Sequence, residues 1–149
     1  MKTVQTFLLI LLLFCSCSSS KKIQKKENFI LITESYWRLH AIQKKPISCT
    51  SDTPPYILFE PSGRYSGYTG CNQFFGTYSL TSKKLTLDYL GSTKDLCFDQ
   101  REIETAFLRM LKQDVCCYKI EKDTLLILNK KGELLHLVAT DSIPGGNDR

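Results

Sequence analysis

The stretch GCNQFFGTYSLTSKKLTLDY, residues 70–89, decides the fold of this chain. Its second half, Leu85-Thr86-Leu87-Asp88-Tyr89, alternates apolar and polar side chains with the period of two that a half-buried strand requires. Gly76–Thr81 continues the same pattern on the other side of a polar turn, Ser82-Lys83-Lys84. The stretch therefore predicts two antiparallel strands, each with one face turned toward a core.

Strand patterns continue on both sides of this stretch. Tyr56–Phe59 and Arg64–Thr69 flank the turn signal Pro61-Ser62-Gly63, so we expect them to pair as a hairpin. The other predicted strands are rich in aromatic and aliphatic residues and end at turn signals: Tyr36–Ile42, Cys117–Ile120, Leu125–Leu128 and Leu134–Val138.

One segment has the period of a helix instead. Its apolar residues form a single stripe at helical spacing: Ile103, Ala106, Phe107, Met110 and Leu111. Asp99 and Glu102 stand where a capping box would begin this helix. Because the helix and the strands each have one apolar face, the sequence predicts an α+β fold, in which the helix packs against a curved antiparallel sheet.

The first residues have the order of a secretory signal peptide. Lys2 supplies charge, Phe7–Phe14 is an unbroken apolar run, and Ser16-Cys17 follows. The run is shorter than the roughly 20 residues that a spanning helix needs. Because this stretch resembles a bacterial lipobox, we expect lipidation of Cys17. The expected organisation is a signal peptide (1–16), a lipidated Ser/Lys-rich tether (17–32), one folded domain (33–140) and a flexible tail (141–149).

The charge of the chain is uneven. The formal net charge is +5, but five lysines and one glutamate precede the folded part, and from Thr33 onward 15 basic residues accompany 14 acidic ones. A nearly neutral domain argues against nucleic acid binding, which depends on neutralising phosphates. Each tether lysine beside a lipid anchor could add about 1 kcal/mol of attraction to an anionic membrane surface.

The GCN run also has a direct physical interpretation. Gly70 and Gly76 mark places where the backbone must turn or approach another strand closely. Asn72 suits a turn, because its side chain can bond nearby backbone groups. The simpler hypothesis is a structural loop that keeps a hairpin in register, and the alternative is a binding loop.

These residues, in this order, resemble the META/HslJ-like domain. The resemblance spans roughly Tyr36 to Ala139 and includes Trp37-Arg38-Leu39 and the hairpin Asp123-Thr124-Leu125. The matching motif positions are Trp37, Gly70, Cys71, Asn72, Phe74, Gly76, Tyr78, Thr93 and Cys97. The resemblance implies a small α+β domain, in which a curved antiparallel sheet resembling a cracked barrel packs around one α-helix. Such domains are carried by bacterial envelope lipoproteins, with a stress-related association and no established enzyme activity. The corresponding location is the cell envelope, with the outer membrane as the expected destination of the lipid.

The family resemblance also makes Cys71 and Cys97 the candidate disulfide pair, with two buried thiols as the alternative. An exported domain would allow the cysteines to oxidise. Cys49 could pair with Cys116 or Cys117, but only one of these neighbours can reach a given partner, because adjacent strand residues point to opposite faces.

Motifs for catalysis and for cofactors are missing from the sequence. The serine in Gly63-Arg64-Tyr65-Ser66-Gly67 stands one position late for a nucleophile elbow. His40 and His136 lie within strand patterns, and the cysteines form no CxxC pair. The glycines match neither GxGxxG nor a P-loop. We therefore expect no catalytic residues, no metal and no cofactor.

Two non-catalytic functions fit these features. In the first, the sheet and helix enclose an apolar pocket for a lipid or for the hydrophobic tail of another envelope protein, as in a binding or chaperone-like module. In the second, the domain is an adaptor that docks an envelope assembly through exposed aromatic residues, drawn from Tyr65, Tyr68, Phe74 and Phe75. Ordinary core packing is the alternative for these aromatics. We expect a monomer held at the membrane by its N-terminal lipid.

Overall fold

The structure, a computed structural model, describes residues 32–82, 84–113, 115–132 and 134–143. The expected signal peptide, the lipidation site Cys17 and most of the expected tether lie outside the described residues. Ile32, which the sequence places at the end of the tether, is fully buried, and its carbonyl accepts a hydrogen bond from the Trp37 indole at 2.8 Å. The folded part therefore includes at least this residue before the expected boundary at Thr33.

A nine-stranded antiparallel sheet forms most of the domain. Its strands are β1 (Tyr36–Ile42), β2 (Lys45–Pro46), β3 (Tyr56–Phe59), β4 (Arg64–Tyr68), β5 (Gln73–Leu80), β6 (Leu85–Ser92), β7 (Val115–Glu121), β8 (Thr124–Asn129) and β9 (Leu134–Thr140). The order across the sheet is β6-β5-β4-β3-β1-β9-β8-β7, and the short β2 pairs with β1 outside this path. The chain thus builds two runs of neighbouring strands, β3 to β6 and β7 to β9, on either side of β1.

The helix α1 (Arg101–Lys112) connects the two edge strands, β6 and β7. The sheet curls strongly around it, and Tyr118 on β7 donates a hydrogen bond to the Thr81 carbonyl beside β6 at 2.9 Å. These observations confirm the predicted fold class, an α+β domain with a curved sheet around one helix. No helix among the described residues is both long enough and apolar enough to cross a membrane.

Alternating side chains of the strands fill the space between the sheet and the helix. Every second residue of β5 is buried, and β1 shows the same alternation. The helix contributes Phe107, Met110 and Leu111 from the predicted stripe, while Ile103 and Ala106 are half-buried. The largest buried side chains include Trp37, Phe59, Tyr65, Phe74 and Phe107. The interior is therefore a packed aromatic core.

The predicted capping box at the start of the helix is wrong. The helix N-cap is Gln100, which makes no side-chain capping hydrogen bond, and its backbone carbonyl accepts the Glu104 N–H at 2.9 Å. The Gln100 side chain is buried and bonds across to a separate loop, donating from Nε2 to Thr50 Oγ1 at 2.6 Å. This tertiary contact displaces the local cap, because it satisfies a buried amide that has no access to water.

Gly76 lies inside a strand rather than at the start of one. The sequence predicts a strand from Gly76, whereas β5 begins at Gln73 and has a register irregularity between Phe75 and Gly76. A Cβ atom at Gly76 would overlap the carbonyl oxygen of Asp88 and the ring of Tyr65. The predicted close approach at this glycine is confirmed, because the Tyr65 ring packs directly on its backbone.

Candidate functional site

Asn72 is a buried polar side chain at the centre of the family motif, with only 3% of its surface exposed. Its Oδ1 accepts hydrogen bonds from Thr93 Oγ1 at 2.6 Å and from the Asp95 N–H at 2.7 Å. Its Nδ2 donates to the Asp95 carbonyl at 3.1 Å and to Glu104 Oε1 at 2.8 Å. A buried amide has to be satisfied in this way. Asn72 therefore ties the segment after β6 to the helix.

A tight turn from Thr69 to Asn72 positions this amide. The Thr69 N–H donates to the Asn72 carbonyl at 2.8 Å, and Thr69 Oγ1 accepts the Asn72 N–H at 2.8 Å. The same hydroxyl donates to Glu104 Oε1 at 3.1 Å. Gly70 has a φ of +94°, in the left-handed region that favours glycine. The predicted turn at Gly70 is confirmed, and the turn is joined to the helix through Glu104.

A disulfide joins Cys71 in this turn to Cys97 before the helix, with 5.8 Å between their Cα atoms. This is the pair that the family resemblance implies. Thr93 bonds to the first residue of β5. Its N–H donates to the Gln73 carbonyl at 3.0 Å, and its Oγ1 accepts the Gln73 N–H at 3.1 Å. We call the six linked residues the motif clamp: Thr69, Cys71, Asn72, Thr93, Cys97 and Glu104.

The motif clamp fixes a loop that exposes two large apolar side chains. Leu96 is 87% exposed and Phe98 is 82% exposed, and they flank the disulfide-bonded Cys97. The backbone on either side is held by Asn72 at Asp95 and by the disulfide at Cys97. We call residues 95–99 the apolar loop. Contiguous exposed apolar patches mark interaction sites, so two large exposed apolar residues two positions apart make this loop a candidate.

A groove lies beside the apolar loop, between the end of β1 and the first half of the helix. Its volume is about 560 Å³. Phe98 forms one wall, and the other apolar lining residues are Ile42, Pro46, Ile47, Ile103 and Ala106. Charged residues of both signs also line it: Lys45, Asp99, Glu102 and Arg109. We call this feature the helix groove.

The four aromatics considered for a docking patch separate onto two faces of the sheet. Tyr65 and Phe74 are buried in the core, Tyr68 is half-buried on the opposite face, and Phe75 is 47% exposed. Tyr68 instead belongs to an outer aromatic row, in which its ring stands 6.4 Å from that of Tyr56, and Tyr56 stands 5.6 Å from Tyr36. Core packing is thus the outcome for Tyr65 and Phe74.

Other motif residues pack in the core. Trp37, Phe74 and Tyr78 are buried, and the Tyr78 hydroxyl donates to the Glu60 carbonyl at 2.8 Å. Burial, together with the charge of Glu60, raises the pKa of Tyr78 above its usual value. The motif residues therefore act on the surface only indirectly, through the elements that they hold.

Cys49 does not pair with Cys116 or Cys117 as the sequence suggested. It is a free thiol, and its Sγ lies 3.3 Å from Gln100 Oε1 at the start of the helix. His40 and His136, the histidines considered for zinc, pack ring to ring at 5.3 Å on neighbouring strands. Across the described residues, no group of three or more His, Cys, Asp or Glu side chains could hold a metal ion.

Sequence reasoning missed the roles of Thr69, Glu104, Leu96 and Phe98. The first two act through contacts over 32 to 35 residues, which carry no local signature. Leu96 and Phe98 did leave a signal, because they are large apolar residues in a segment with neither the strand period nor the helix period.

Comparison with known proteins agrees with this fold. The family model described as META domain matches residues 31–142. An NMR structure of a protein from Burkholderia xenovorans is 22% identical, with a TM-score of 0.61 over 78% of this chain and 88% of that one. A second NMR structure is 24% identical, with a TM-score of 0.59 over 74% and 93%.

A crystal structure of a DUF4847 family protein from Bacteroides vulgatus has the same fold at 10% identity, with a TM-score of 0.59 over 75% of this chain and 96% of that one. At these identities the likeness shows the fold alone. No curated protein matches the chain in sequence.

Proposed function

The chain belongs to the META domain family, and on that premise we propose that it is a non-enzymatic binding module of the bacterial cell envelope. In this proposal the apolar loop and the helix groove together dock an apolar segment of another envelope protein. A stress-related, chaperone-like role is the form of binding that the family resemblance favours.

The observation that carries the proposal is the fixed exposure of Leu96 and Phe98. Burying a side chain of this size against a partner contributes about 1.5–3 kcal/mol. Since the motif clamp holds the backbone at Asp95 and at Cys97, docking would order little additional chain. A rigid loop with two projecting apolar side chains is suited to inserting into a partner's surface.

The shape of the site favours a protein over a lipid or another small ligand. Small ligands are usually buried over most of their surface. The helix groove is open to solvent, and Phe98, which lines it, is 82% exposed. Its lining carries both signs of charge, from Lys45 and Arg109 and from Asp99 and Glu102, which complements a peptide surface better than a single acyl chain.

The polar residues of the motif clamp support a non-enzymatic role. The Asn72 side chain bonds Thr93, Glu104 and the backbone of Asp95. The Thr69 hydroxyl bonds Glu104 and the backbone N–H of Asn72. A catalytic side chain has to meet a substrate in a plausible geometry. Side chains whose polar atoms are occupied in this way hold the fold instead.

The outer aromatic row gives a second candidate function, the adaptor. The rings of Tyr36, Tyr56 and Tyr68 follow one another on the outward face of three neighbouring strands. Tyrosine is enriched at protein interfaces. All three tyrosines are half-buried, so they expose less of their apolar surface to a partner than Leu96 and Phe98 do.

Photocrosslinking separates the two docking surfaces. A photoreactive phenylalanine analogue is placed at position 98, at position 68 or at position 90, where Leu90 is 62% exposed and serves as the matched control. We expect a discrete protein adduct at position 98, lost with Leu96→Ser, and none at position 90. An adduct at position 68 alone would favour the adaptor, and equal labelling at all three positions would refute a defined site.

Membrane attachment through Cys17 is part of the same proposal, with the outer membrane as the destination. The apolar run followed by Ser16-Cys17 supports it. We expect the mature chain to enter the detergent phase of a phase partition and the Cys17→Ala chain to stay in the aqueous phase. Detergent partition of the Cys17→Ala chain would refute the lipid anchor.

A further inference from the structure

Four outward-facing residues, which we call the cross-strand row, lie side by side across four neighbouring strands of the sheet. Gln73 on β5 pairs with Tyr68 on β4. Tyr68 pairs in turn with Tyr56 on β3, and Tyr56 pairs with Arg38 on β1. Adjacent strands stand about 4.8 Å apart, so the row extends over roughly 14 Å. It presents two aromatic rings in the middle and an exposed polar side chain at each end.

The aromatic rings of this surface are set at angles to one another. The Tyr56 and Tyr68 rings stand 6.4 Å apart and are tilted by 38°. Tyr36, two positions before Arg38 on the same face of β1, sets its ring at 77° to that of Tyr56, with 5.6 Å between the ring centres. The rings of Tyr36 and Tyr56 therefore form a corner beside the row, and a ligand that enters it meets a ring face on one side and a ring edge on the other.

The hydrogen-bonding groups of these side chains are left over by the fold. Within the described part of the chain, the hydroxyls of Tyr36, Tyr56 and Tyr68 form no hydrogen bond, and Arg38 forms no ion pair. Burial, together with the phenolate charges of Tyr36 and Tyr68, raises the pKa of Tyr56, so its hydroxyl keeps its proton. Each of the four residues lies five or more positions from the nearest undescribed residue. Donors and acceptors thus collect on one outward surface.

We infer that the cross-strand row binds an acidic saccharide of two or three sugar units. A sugar ring carries C–H bonds on its faces and hydroxyls around its rim, and tyrosine offers a ring and a hydroxyl that match both. The distance between adjacent strands is close to the length of one sugar unit in an extended glycan, so neighbouring side chains of the row contact successive units. Arg38 is the charged member of the row, and its guanidinium suits a carboxylate through two parallel hydrogen bonds.

The size of the surface favours a saccharide over a protein partner. A stable protein interface buries about 800 Å² on each side. The tyrosines are half-buried and the row is one residue wide, so it offers much less area than that. None of these residues belongs to the apolar loop or lines the helix groove. Saccharide binding and protein docking can therefore be tested separately.

Saturation-transfer difference NMR on the full chain, purified in a zwitterionic detergent that contains no sugar, tests this inference. The first probe is the disaccharide of N-acetylglucosamine and N-acetylmuramic acid, whose lactyl group carries a carboxylate. Diacetylchitobiose, the same disaccharide without the lactyl group, is the matched neutral control, and digalacturonate is an acidic probe of another sugar class.

We expect saturation to reach the ring C–H protons of an acidic probe and chitobiose to bind about 3- to 5-fold more weakly, because it lacks the charge that meets Arg38. Tighter binding of the muramic disaccharide would identify a cell-wall glycan as the source, and tighter binding of digalacturonate would identify a uronic acid polymer. Failure of both acidic probes to bind, or equal binding of chitobiose, would overturn the inference.

Matched variants locate the bound saccharide. Arg38→Gln should weaken binding of the acidic probe about 3- to 5-fold, because one surface charge is removed. Arg64→Gln removes an exposed arginine at the other end of β4 and should leave the affinity unchanged. Tyr56→Phe keeps the ring, removes one hydroxyl and should weaken binding about 5-fold. Equal affinity of Arg38→Gln and the wild-type chain would overturn the inference, as would a protein crosslinked at position 68 in a chain that binds no saccharide.

Discussion

The side-chain amide of Asn72 bonds both backbone groups of Asp95, accepting from its N–H at 2.7 Å and donating to its carbonyl at 3.1 Å. One side chain thus replaces the pairing that a neighbouring strand would provide. Because Asp95 begins the apolar loop, this contact connects a buried motif residue to an exposed surface.

Replacing Asn72 tests how much this contact contributes to the free energy of unfolding. Asn72→Ala removes four hydrogen bonds, to Thr93, to both backbone groups of Asp95 and to Glu104, and each contributes about 0.5–1.5 kcal/mol. We expect the free energy of unfolding in urea to fall by roughly 2–4 kcal/mol. Gln73→Ala, at an adjacent exposed position, is the control and should change it by less than about 0.5 kcal/mol. Equal values for the two variants would refute the clamp.

Reduction of the disulfide should destabilise the domain. The Cys71–Cys97 bridge spans 26 positions, and closing such a loop stabilises a fold by about 3.5 kcal/mol in the chain-entropy model. We expect reductant to lower the free energy of unfolding of the wild-type chain and of Cys49→Ser by this amount. The double variant Cys71→Ala, Cys97→Ala should not respond to reductant. A wild-type chain that is equally stable with and without reductant would contradict the prediction.

Two strand glycines should differ sharply in their tolerance of a methyl group. Gly76→Ala forces a Cβ into the Asp88 carbonyl and the Tyr65 ring, so we expect a loss of roughly 3 kcal/mol in thermal or urea unfolding. Gly91→Ala meets only the tip of the exposed Phe75 ring, at 3.2 Å, and should cost about 0.5 kcal/mol or less. Similar losses in both variants would refute the close approach at Gly76.

Tyr65 should make the fold sensitive to alkaline pH. Burial, with the negative charges of Tyr89 and Asp88, raises the pKa of Tyr65 far above its ordinary value of 10.0. Above about pH 10 the Tyr65 hydroxyl of the unfolded chain loses its proton, while that of the folded chain keeps it. The free energy of unfolding therefore falls as pH rises.

Tyr65→Phe removes this proton and should retain more stability than the wild-type chain above pH 10. The Tyr65 hydroxyl is buried and has no hydrogen-bond partner among the described residues, so near pH 7 the variant should be about 1 kcal/mol more stable or unchanged. Urea unfolding at pH 7 and at pH 10.5 measures both effects. Parallel alkaline losses in the two chains would show that Tyr65 is not responsible.

Local periodicity was enough to predict the architecture. The alternation in Leu85–Tyr89 and the hairpin of Tyr56–Phe59 with Arg64–Thr69 correspond to β6, β3 and β4, and the stripe through Phe107 and Leu111 faces the core. These patterns repeat within a few residues, so the sequence records them directly.

Contacts between distant segments could not be predicted in the same way. Asp99 has the local signature of a cap, but the Gln100 amide meets Thr50 across 50 residues and the local cap is lost. Glu104 lies outside the apolar stripe of the helix, which predicts a solvent-facing position, yet it accepts hydrogen bonds from both Thr69 and Asn72.

Amide hydrogen exchange at Asp95 tests most directly whether the motif clamp holds the apolar loop. The Asp95 N–H bonds to buried Asn72, so its exchange in the wild-type chain should be slowed by about a hundredfold or more relative to an unstructured peptide. Asn72→Ala should abolish this protection while the Ile127 amide in β8 keeps its own. Fast exchange at Asp95 in the wild-type chain, or undiminished protection in Asn72→Ala, would contradict the clamp.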